Sequence, residues 1–179
     1  INSKTRLRDY AIITLFLNCG LRLSELVGIN INDIDSEMRS VRIFGKGAKE
    51  RIVYLNDACR RALTDYLVTR LDECISKGTV APVFISGRGT RISREMVQKI
   101  VLKYLSLAGL GNKGLSTHKL RHTAATLMYQ SGNVDVRVLK DILGHSQLNT
   151  TQIYTHVSNA GMEHAMYANP LSDIKKKKE

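Results

Sequence analysis

The chain has few cysteines, few acidic residues and no long hydrophobic run. Its 179 residues include three cysteines, at positions 19, 59 and 74, an odd number without a Cys-x-x-Cys pair. This excludes both a disulfide framework and a cysteine zinc site, and we expect free thiols in a reducing cytoplasm. No window of 18 uncharged apolar residues is present, so we predict no membrane-spanning segment and no membrane partner.

Acidic residues are outnumbered throughout the chain. There are 27 lysines and arginines against 16 aspartates and glutamates, a formal net charge of +11. Without the terminal run Lys175–Lys178 and Glu179, the remaining residues still carry +8. The charge is therefore expected on a folded surface, and the commonest partner of such a surface is a phosphate backbone, whose counterions are released on binding. The sequence thus predicts one globular domain that binds nucleic acid.

Motifs of several enzyme classes are also missing. There is no Gly-x4-Gly-Lys-Ser/Thr loop, and the Gly-Lys-Gly of residues 45–47 is too short to cradle a triphosphate, which argues against an NTPase. His118 and His122 have the spacing of a helical zinc pair, but Lys119 and Arg121 lie between them and no Glu follows His118. We therefore expect no metal site.

Apolar spacing predicts a mainly α fold with one small antiparallel β-sheet (α+β). Three- and four-residue spacing predicts helices over 7–19, 59–74, 93–109, 117–131 and 135–143, and another from about 150. Alternation after Val41 predicts a β-hairpin reaching Leu55, with Lys46 in or beside its turn. Residues 82–86 suggest a third strand, and Ser24 and Thr117 are predicted helix caps.

Three connections carry side chains that can bind an anion. Arg22 follows Gly20 at a predicted helix entrance, and His145 follows a glycine at a predicted helix exit. His118 and Arg121 lie three residues apart in the first turn of the predicted 117–131 helix, where free backbone amides already favour a phosphate. Each signal is weak alone, and none names a reaction.

Taken together, the motifs resemble a known family. They are, in order, Gly20-Leu-Arg-Leu-Ser-Glu-Leu26, Gly45-Lys-Gly-Ala-Lys-Glu-Arg51, His118-Lys-Leu-Arg-His-Thr123, Leu143-Gly-His-Ser146 and Thr150-Thr-Gln-Ile-Tyr-Thr-His156. Their order and intervals resemble the catalytic domain of a tyrosine recombinase, nearest to the Xer-type enzymes and the phage and transposon integrases. The resemblance covers about residues 6–156 and implies the fold of that catalytic domain.

The resemblance also assigns candidate catalytic residues by position. They are the phosphate-binding arginines Arg22 and Arg121, the hairpin lysine Lys46, the histidines His118 and His145, and the nucleophile Tyr154. Glu25 falls on the acid that helps to hold the first arginine. We expect His118 to act as the base for Tyr154, and Lys46, ahead of Lys49, to protonate the leaving oxygen.

The implied reaction is site-specific DNA recombination through a covalent 3′-phosphotyrosine intermediate, without metal, cofactor or ATP. The implied partners are double-stranded DNA and other recombinase protomers, in a tetramer on DNA, with the chain monomeric when alone. We expect residues 1–174 to be a catalytic domain without the family's N-terminal core-binding domain, and 175–179 to be a basic tail. The expected location is the prokaryotic cytoplasm, at the nucleoid.

Three other functions are compatible with parts of the pattern. A DNA-binding module without catalysis needs only the basic charge and the helices, and does not require Tyr154 or both arginines. A type IB topoisomerase shares the phosphotyrosine chemistry, but the Xer-like sequences of the motifs and the predicted hairpin with Lys46 favour recombination. A metal-dependent nuclease would be inhibited by EDTA, which distinguishes it.

Overall fold

The structure is a computed structural model that describes residues 3–45, 50–74, 81–130, 138 and 159–173. The helices and strands in these ranges are α1 (Ser3–Cys19), α2 (Leu23–Gly28), β1 (Ser40–Phe44), β2 (Glu50–Tyr54), α3 (Asp57–Cys74), α4 (Arg94–Leu107), α5 (Thr117–Gln130) and α6 (Asn159–Tyr167). The predicted α+β class is confirmed. No helix in these ranges is long and apolar enough to cross a membrane. Of the helix predicted over 135–143 only Val138, which is helical, is described, and residues 150–158, where the next helix is predicted to begin, lie outside the described residues.

The core forms around α1, which packs against both α3 and α5. Ile12, Leu15 and Phe16 recur along one face of α1 and are at most 1% exposed, as helical periodicity requires of a buried stripe. Cys19 continues this stripe, and its sulfur lies 3.6 Å from that of Cys59 on α3. The prediction that Cys59 is a core residue is confirmed, whereas the side chain of Cys74 lies outside the described residues.

The predicted β-hairpin is present. β1 and β2 pair antiparallel from Ser40↔Tyr54 to Phe44↔Glu50. Val41, Ile43 and Val53 face the core because side chains alternate along each strand. The turn, including Lys46 and Lys49, lies outside the described residues.

The prediction of a third strand over 82–86 is wrong. Val83, Phe84 and Ile85 are buried, which explains the strand-like pattern. Their backbone bonds, however, go to separate loops: the N–H of Val83 donates to the carbonyl of Ile29, and the carbonyl of Phe84 accepts from Ile92. No continuous ladder forms, and Pro82 makes only an isolated bridge with Asn30.

Both predicted caps are displaced by one or two residues. α2 begins at Leu23, with Arg22 extended at the cap position, so Ser24 lies inside the helix. α5 begins at Thr117, and Ser116 is the residue whose hydroxyl oxygen accepts the N–H of Lys119, at 3.4 Å. Sequence alone did not distinguish neighbouring polar residues as caps.

Gly20 ends α1, as predicted, and sets the entrance of α2. Its φ of +58° is in the left-handed region, which a side chain would strain. Its N–H donates to the carbonyl of Phe16, 3.2 Å away. The resulting tight turn places Arg22 directly beside the end of α1.

Asn56 joins the start of α3 to two other elements. Its amide nitrogen donates to Oδ1 of Asn18 on α1, at 2.8 Å, and to the carbonyl of Met166 on α6, at 3.1 Å. Its Oδ1 accepts the N–H of Cys59, at 3.2 Å, and so caps α3. A single fully buried amide therefore links α1, α3 and α6.

We predict that Asn56→Ala destabilises the chain by about 2–4 kcal/mol, because a cap is lost and two buried acceptors lose their donor. Urea unfolding of the variant and the parent measures this difference. Asn112→Ala, at an exposed position, serves as the control and should change stability by less than about 0.5 kcal/mol. Equal effects of the two substitutions would contradict the role of Asn56.

Candidate active site

Glu25 is the centre of the candidate site. It lies in the first turn of α2, and its side chain is 2% exposed. Oε2 accepts the backbone N–H of Arg22 at 2.7 Å, and Oε1 accepts Nη1 of Arg22 at 2.9 Å. Arg51 on β2 donates through Nη1 to Oε1 at 2.6 Å and through Nη2 to Oε2 at 3.0 Å. Four donated bonds match the acceptor capacity of a carboxylate.

Arg121 reaches the same carboxylate from α5. Its side chain is 5% exposed, and Nη1 lies 3.8 Å from Oε2 of Glu25. The same nitrogen donates to the carbonyl of Gly20, at 2.8 Å. Gly20 therefore fixes Arg121 while its turn positions Arg22. The structure thus brings together three predicted site residues, Arg22, Glu25 and Arg121.

The electrostatics follow from three guanidinium groups around one carboxylate. Burial would raise the pKa of Glu25, but hydrogen bonds and charge from Arg51, with bonds from Arg22, lower it to about 2. Burial lowers the pKa of Arg121 to about 10, and the charge of Arg22 acts in the same direction. At neutral pH Glu25 is therefore ionised and Arg121 is still a cation.

Arg51 is the site residue that the sequence reasoning missed as a separate functional group. It shares the core-facing side of β2 with Val53, and it pairs in register with buried Ile43. A charged residue at a core-facing strand position requires a buried partner of opposite charge. That position was the available signal, and Glu25 is the partner.

His118 occupies a different environment from Arg121, although both lie in the first turns of α5. His118 is exposed, and its Nε2 lies 3.0 Å from Nε2 of His122. The two rings meet edge to face, with centroids 4.6 Å apart. This contact requires one Nε2 to carry a hydrogen and the other to accept it. His122 is therefore a direct neighbour of the predicted base.

The remaining predicted residues, Lys46, His145 and Tyr154, lie outside the described residues. Within the described ranges, no group of three or more His, Cys, Asp or Glu side chains is placed to hold a metal ion. The groups that the described site offers to a substrate are its guanidinium groups. Arg22, whose side chain is 39% exposed, can meet a solvent-borne anion, and a planar guanidinium suits a phosphate.

Comparisons with known proteins agree with this arrangement. Residues 1–160 match the phage integrase family. The chain is 54% identical over 165 residues to the tyrosine recombinase XerC of Caldanaerobacter subterraneus subsp. tengcongensis, covering 92% of this chain and 46% of the relative. It is 44% identical over 153 residues to XerC of Thermodesulfovibrio yellowstonii, covering 84% of this chain and 50% of that protein. The chain thus spans about half the length of these curated relatives.

Solved structures give the same result for the fold. The XerA recombinase crystal structure superposes with a TM-score of 0.70 at 30% identity, covering 93% of this chain and 59% of that one. XerH, bound to its difH substrate in a pre-cleavage complex, superposes with a TM-score of 0.71 at 30% identity, covering 92% and 47%. The fold and the family expected from the sequence motifs are confirmed.

The lowered pKa of Glu25 predicts how stability depends on pH. A carboxyl with a folded-state pKa of about 2 and an ordinary value of 4.5 contributes stability above 4.5, and that contribution is lost as the pH falls toward 2. The difference in unfolding free energy between the parent and Glu25→Gln should therefore shrink over this interval, by on the order of 3 kcal/mol.

Urea unfolding at a series of pH values measures this difference. Glu37→Gln is a suitable control, because the side chain of Glu37 is 62% exposed in its pair with Arg39 and an exposed pair contributes at most about 1 kcal/mol to stability. A parent-to-Glu25→Gln difference that stays constant between pH 5 and pH 2 would contradict the prediction.

Proposed function

The chain belongs to the phage integrase family, and from this we propose that it is a site-specific DNA recombinase. It cleaves and rejoins DNA strands through a covalent 3′-phosphotyrosine intermediate, without metal or ATP. The observation that carries the proposal is the pair of arginines, Arg22 and Arg121, that converge on buried Glu25. In this proposal the two guanidinium groups bind the non-bridging oxygens of one scissile phosphate.

Arginine suits this task because its charge persists and its donors are arranged as a planar fork. Transfer of a phosphoryl group to a side chain places additional charge on the non-bridging oxygens, and donors fixed in advance stabilise that charge most effectively. Glu25 fixes Arg22 by two hydrogen bonds, and the Gly20 carbonyl fixes Arg121. These contacts support an active site that is ordered before DNA binds.

The nucleophile in this proposal is Tyr154. Its phenolic oxygen forms a bond to phosphorus while the bond from phosphorus to the 5′ oxygen breaks. A tyrosine with an ordinary pKa of about 10 is a poor nucleophile near neutrality, so a base must take its proton. We assign that role to His118, with His145 as a further donor to the phosphate. The family motifs support these three assignments.

Lys46 is the proposed general acid. The departing 5′ oxygen leaves readily only if it receives a proton, and a lysine beside the hairpin turn can deliver one. Rejoining reverses the exchange: a 5′ hydroxyl attacks the phosphotyrosine and Tyr154 leaves. The bond energy is conserved, which is why neither ATP nor a cofactor is needed.

The proposed partners are double-stranded DNA and further recombinase protomers, assembled as a tetramer on DNA. The net charge of +11 supports binding to a polyanion. We propose that residues 1–174 form the catalytic domain and that 175–179 are a basic tail. The proposed site of action is the nucleoid of a prokaryotic cytoplasm.

The first test of the function concerns Tyr154. Nicked duplexes with a randomised core are incubated with the chain in EDTA, and covalent adducts are isolated on a denaturing gel and sequenced. Tyr154→Phe should abolish the adduct while DNA affinity changes by less than about twofold, because only one hydroxyl is removed. Tyr129→Phe, at an exposed tyrosine of α5, should still form the adduct. An adduct that survives in Tyr154→Phe would exclude Tyr154 as the nucleophile.

The second test distinguishes Lys46 from Lys49. The duplex whose sequence is recovered from the adducts, here called the captured duplex, is prepared with sulfur in place of the bridging 5′ oxygen of the scissile phosphate. A thiolate leaves without being protonated, so this substrate does not need a general acid. Cleavage by Lys46→Ala should be severely slowed on the oxygen substrate and restored toward the parental rate on the sulfur substrate. Lys49→Ala should lose little activity, and equally on both substrates.

Arginine variants provide the control for this experiment. Arg22→Ala and Arg121→Ala should stay defective on both substrates. Each variant lacks a contact to the non-bridging oxygens, and sulfur at the bridging position does not replace that contact. Sulfur rescue of Lys49→Ala without rescue of Lys46→Ala would reverse the assignment. Rescue of neither would exclude both lysines as the acid, and His118 would be tested next.

A further inference from the structure

Arg51 takes half of the acceptor capacity of Glu25. Its two terminal nitrogens donate to the two carboxylate oxygens in a bidentate pair, at 2.6 and 3.0 Å. The other two bonds come from Arg22. Because four bonds saturate a carboxylate, the approach of any further donor to Glu25 requires one of these to break.

The position of Arg121 agrees with this saturation. Its Nη1 is 3.8 Å from Oε2 of Glu25, beyond hydrogen-bond distance, and donates instead to the Gly20 carbonyl at 2.8 Å. If Arg51 were absent, two acceptor positions on a buried carboxylate would be exposed to this neighbouring guanidinium. Attraction in a site of low dielectric would then draw Arg121 toward Glu25.

A direct contact between Arg51 and a phosphate is disfavoured by the same geometry. The Arg51 side chain is 16% exposed, against 39% for Arg22, and both of its terminal nitrogens donate to Glu25. Arg51 also lies on β2, which begins at Glu50, four residues after Lys46 in the sequence. It therefore connects that hairpin to the elements that carry the two arginines.

We propose that Arg51 is a positioning residue: it saturates Glu25 and so prevents Arg121 from closing onto that carboxylate, while it holds the hairpin against α2. The proposal rests on the function proposed above, since it concerns the same site. Arg51 acts through Glu25 and not on the substrate. Its removal should therefore slow cleavage much more than it weakens DNA binding.

A double-mutant cycle tests this dependence on Glu25. With the captured duplex, Arg51→Met should slow single-turnover adduct formation by roughly tenfold or more, with DNA affinity within about threefold of the parent. Glu25→Gln has no charge to neutralise, so Arg51→Met/Glu25→Gln should be no slower than Glu25→Gln alone. Arg39→Met, at the far end of the hairpin, loses only an exposed pair and should retain the parental rate.

A second readout does not depend on activity. Carbon-13 NMR of Glu25 without DNA should show the pKa rising from about 2 in Arg51→Met, because the bonds that lower it are lost while burial remains. Among the described residues, the charged groups that face Glu25 are Arg22 at the cap of α2, Arg51 on β2 and Arg121 on α5. The acid limb of the pH–rate profile should move upward in parallel, which a purely structural role would not cause.

The outcomes separate the two proposals. Two results would overturn the role of Arg51. One is that the losses of adduct-formation rate caused by Arg51→Met and Glu25→Gln add in the double variant. The other is that Arg51→Met keeps the parental rate and leaves the Glu25 titration unchanged. Failure of the parent chain to form any adduct would reject the proposed function, while the NMR titration would still decide whether Arg51 controls Glu25. If Arg51→Met does not fold, Arg51→Lys replaces it. Lysine keeps the positive charge but lacks the planar guanidinium, so cleavage should be slowed to an intermediate degree. A parental rate with an unchanged Glu25 titration would overturn the proposal.

Discussion

The arrangement of the site depends on one buried carboxylate that faces three guanidinium groups. Glu25 is ionised because Arg22 and Arg51 surround it with donors, and they are held in place because it is ionised. Neither side of this network is stable alone in a buried environment, since an unpaired buried charge has a large desolvation cost. The loop before α2, the hairpin and α5 therefore have to fold together for the network to form.

This mutual dependence lowers the stability that the site could have, but it fixes the positions of the guanidinium groups. A buried ion pair often contributes less than well-packed apolar side chains of the same volume would. What it provides here is defined geometry, because a bidentate bond fixes both the distance and the plane of a guanidinium. Arg51 and Glu25 lie 26 residues apart in sequence, and their bond ties strand β2 to helix α2.

The sequence predicted those parts of the fold that follow from periodicity. α1, α3, α4, α5 and the hairpin were all recognisable from apolar spacing, because their buried faces repeat at the period of the element. The apparent strand at 82–86 failed because burial alone produced its pattern, without a ladder partner. The caps failed because more than one polar residue lies near each helix start: Arg22 is the extended residue before α2, and at α5 the hydroxyl of Ser116 accepts the N–H of Lys119. At the site, the family resemblance assigned Arg22, Glu25 and Arg121, which the structure brings together, whereas Arg51 required knowledge of which strand face packs inward.

The turn at Gly20 has a consequence for the polarity of the backbone around these charges. The end of α1, with its partial negative charge, presents a carbonyl to the cation Arg121, and the start of α2, with its partial positive charge, presents an N–H to the anion Glu25. Each peptide group thus favours the charge that lies beside it before any substrate arrives. If the acid and the base exchanged places, each charge would face a dipole of the unfavourable sign. Mobile ions screen exposed charges but have little access to buried dipoles. Salt that weakens the long-range attraction between the protein and a polyanion should therefore leave these two contacts between backbone and charged side chain intact.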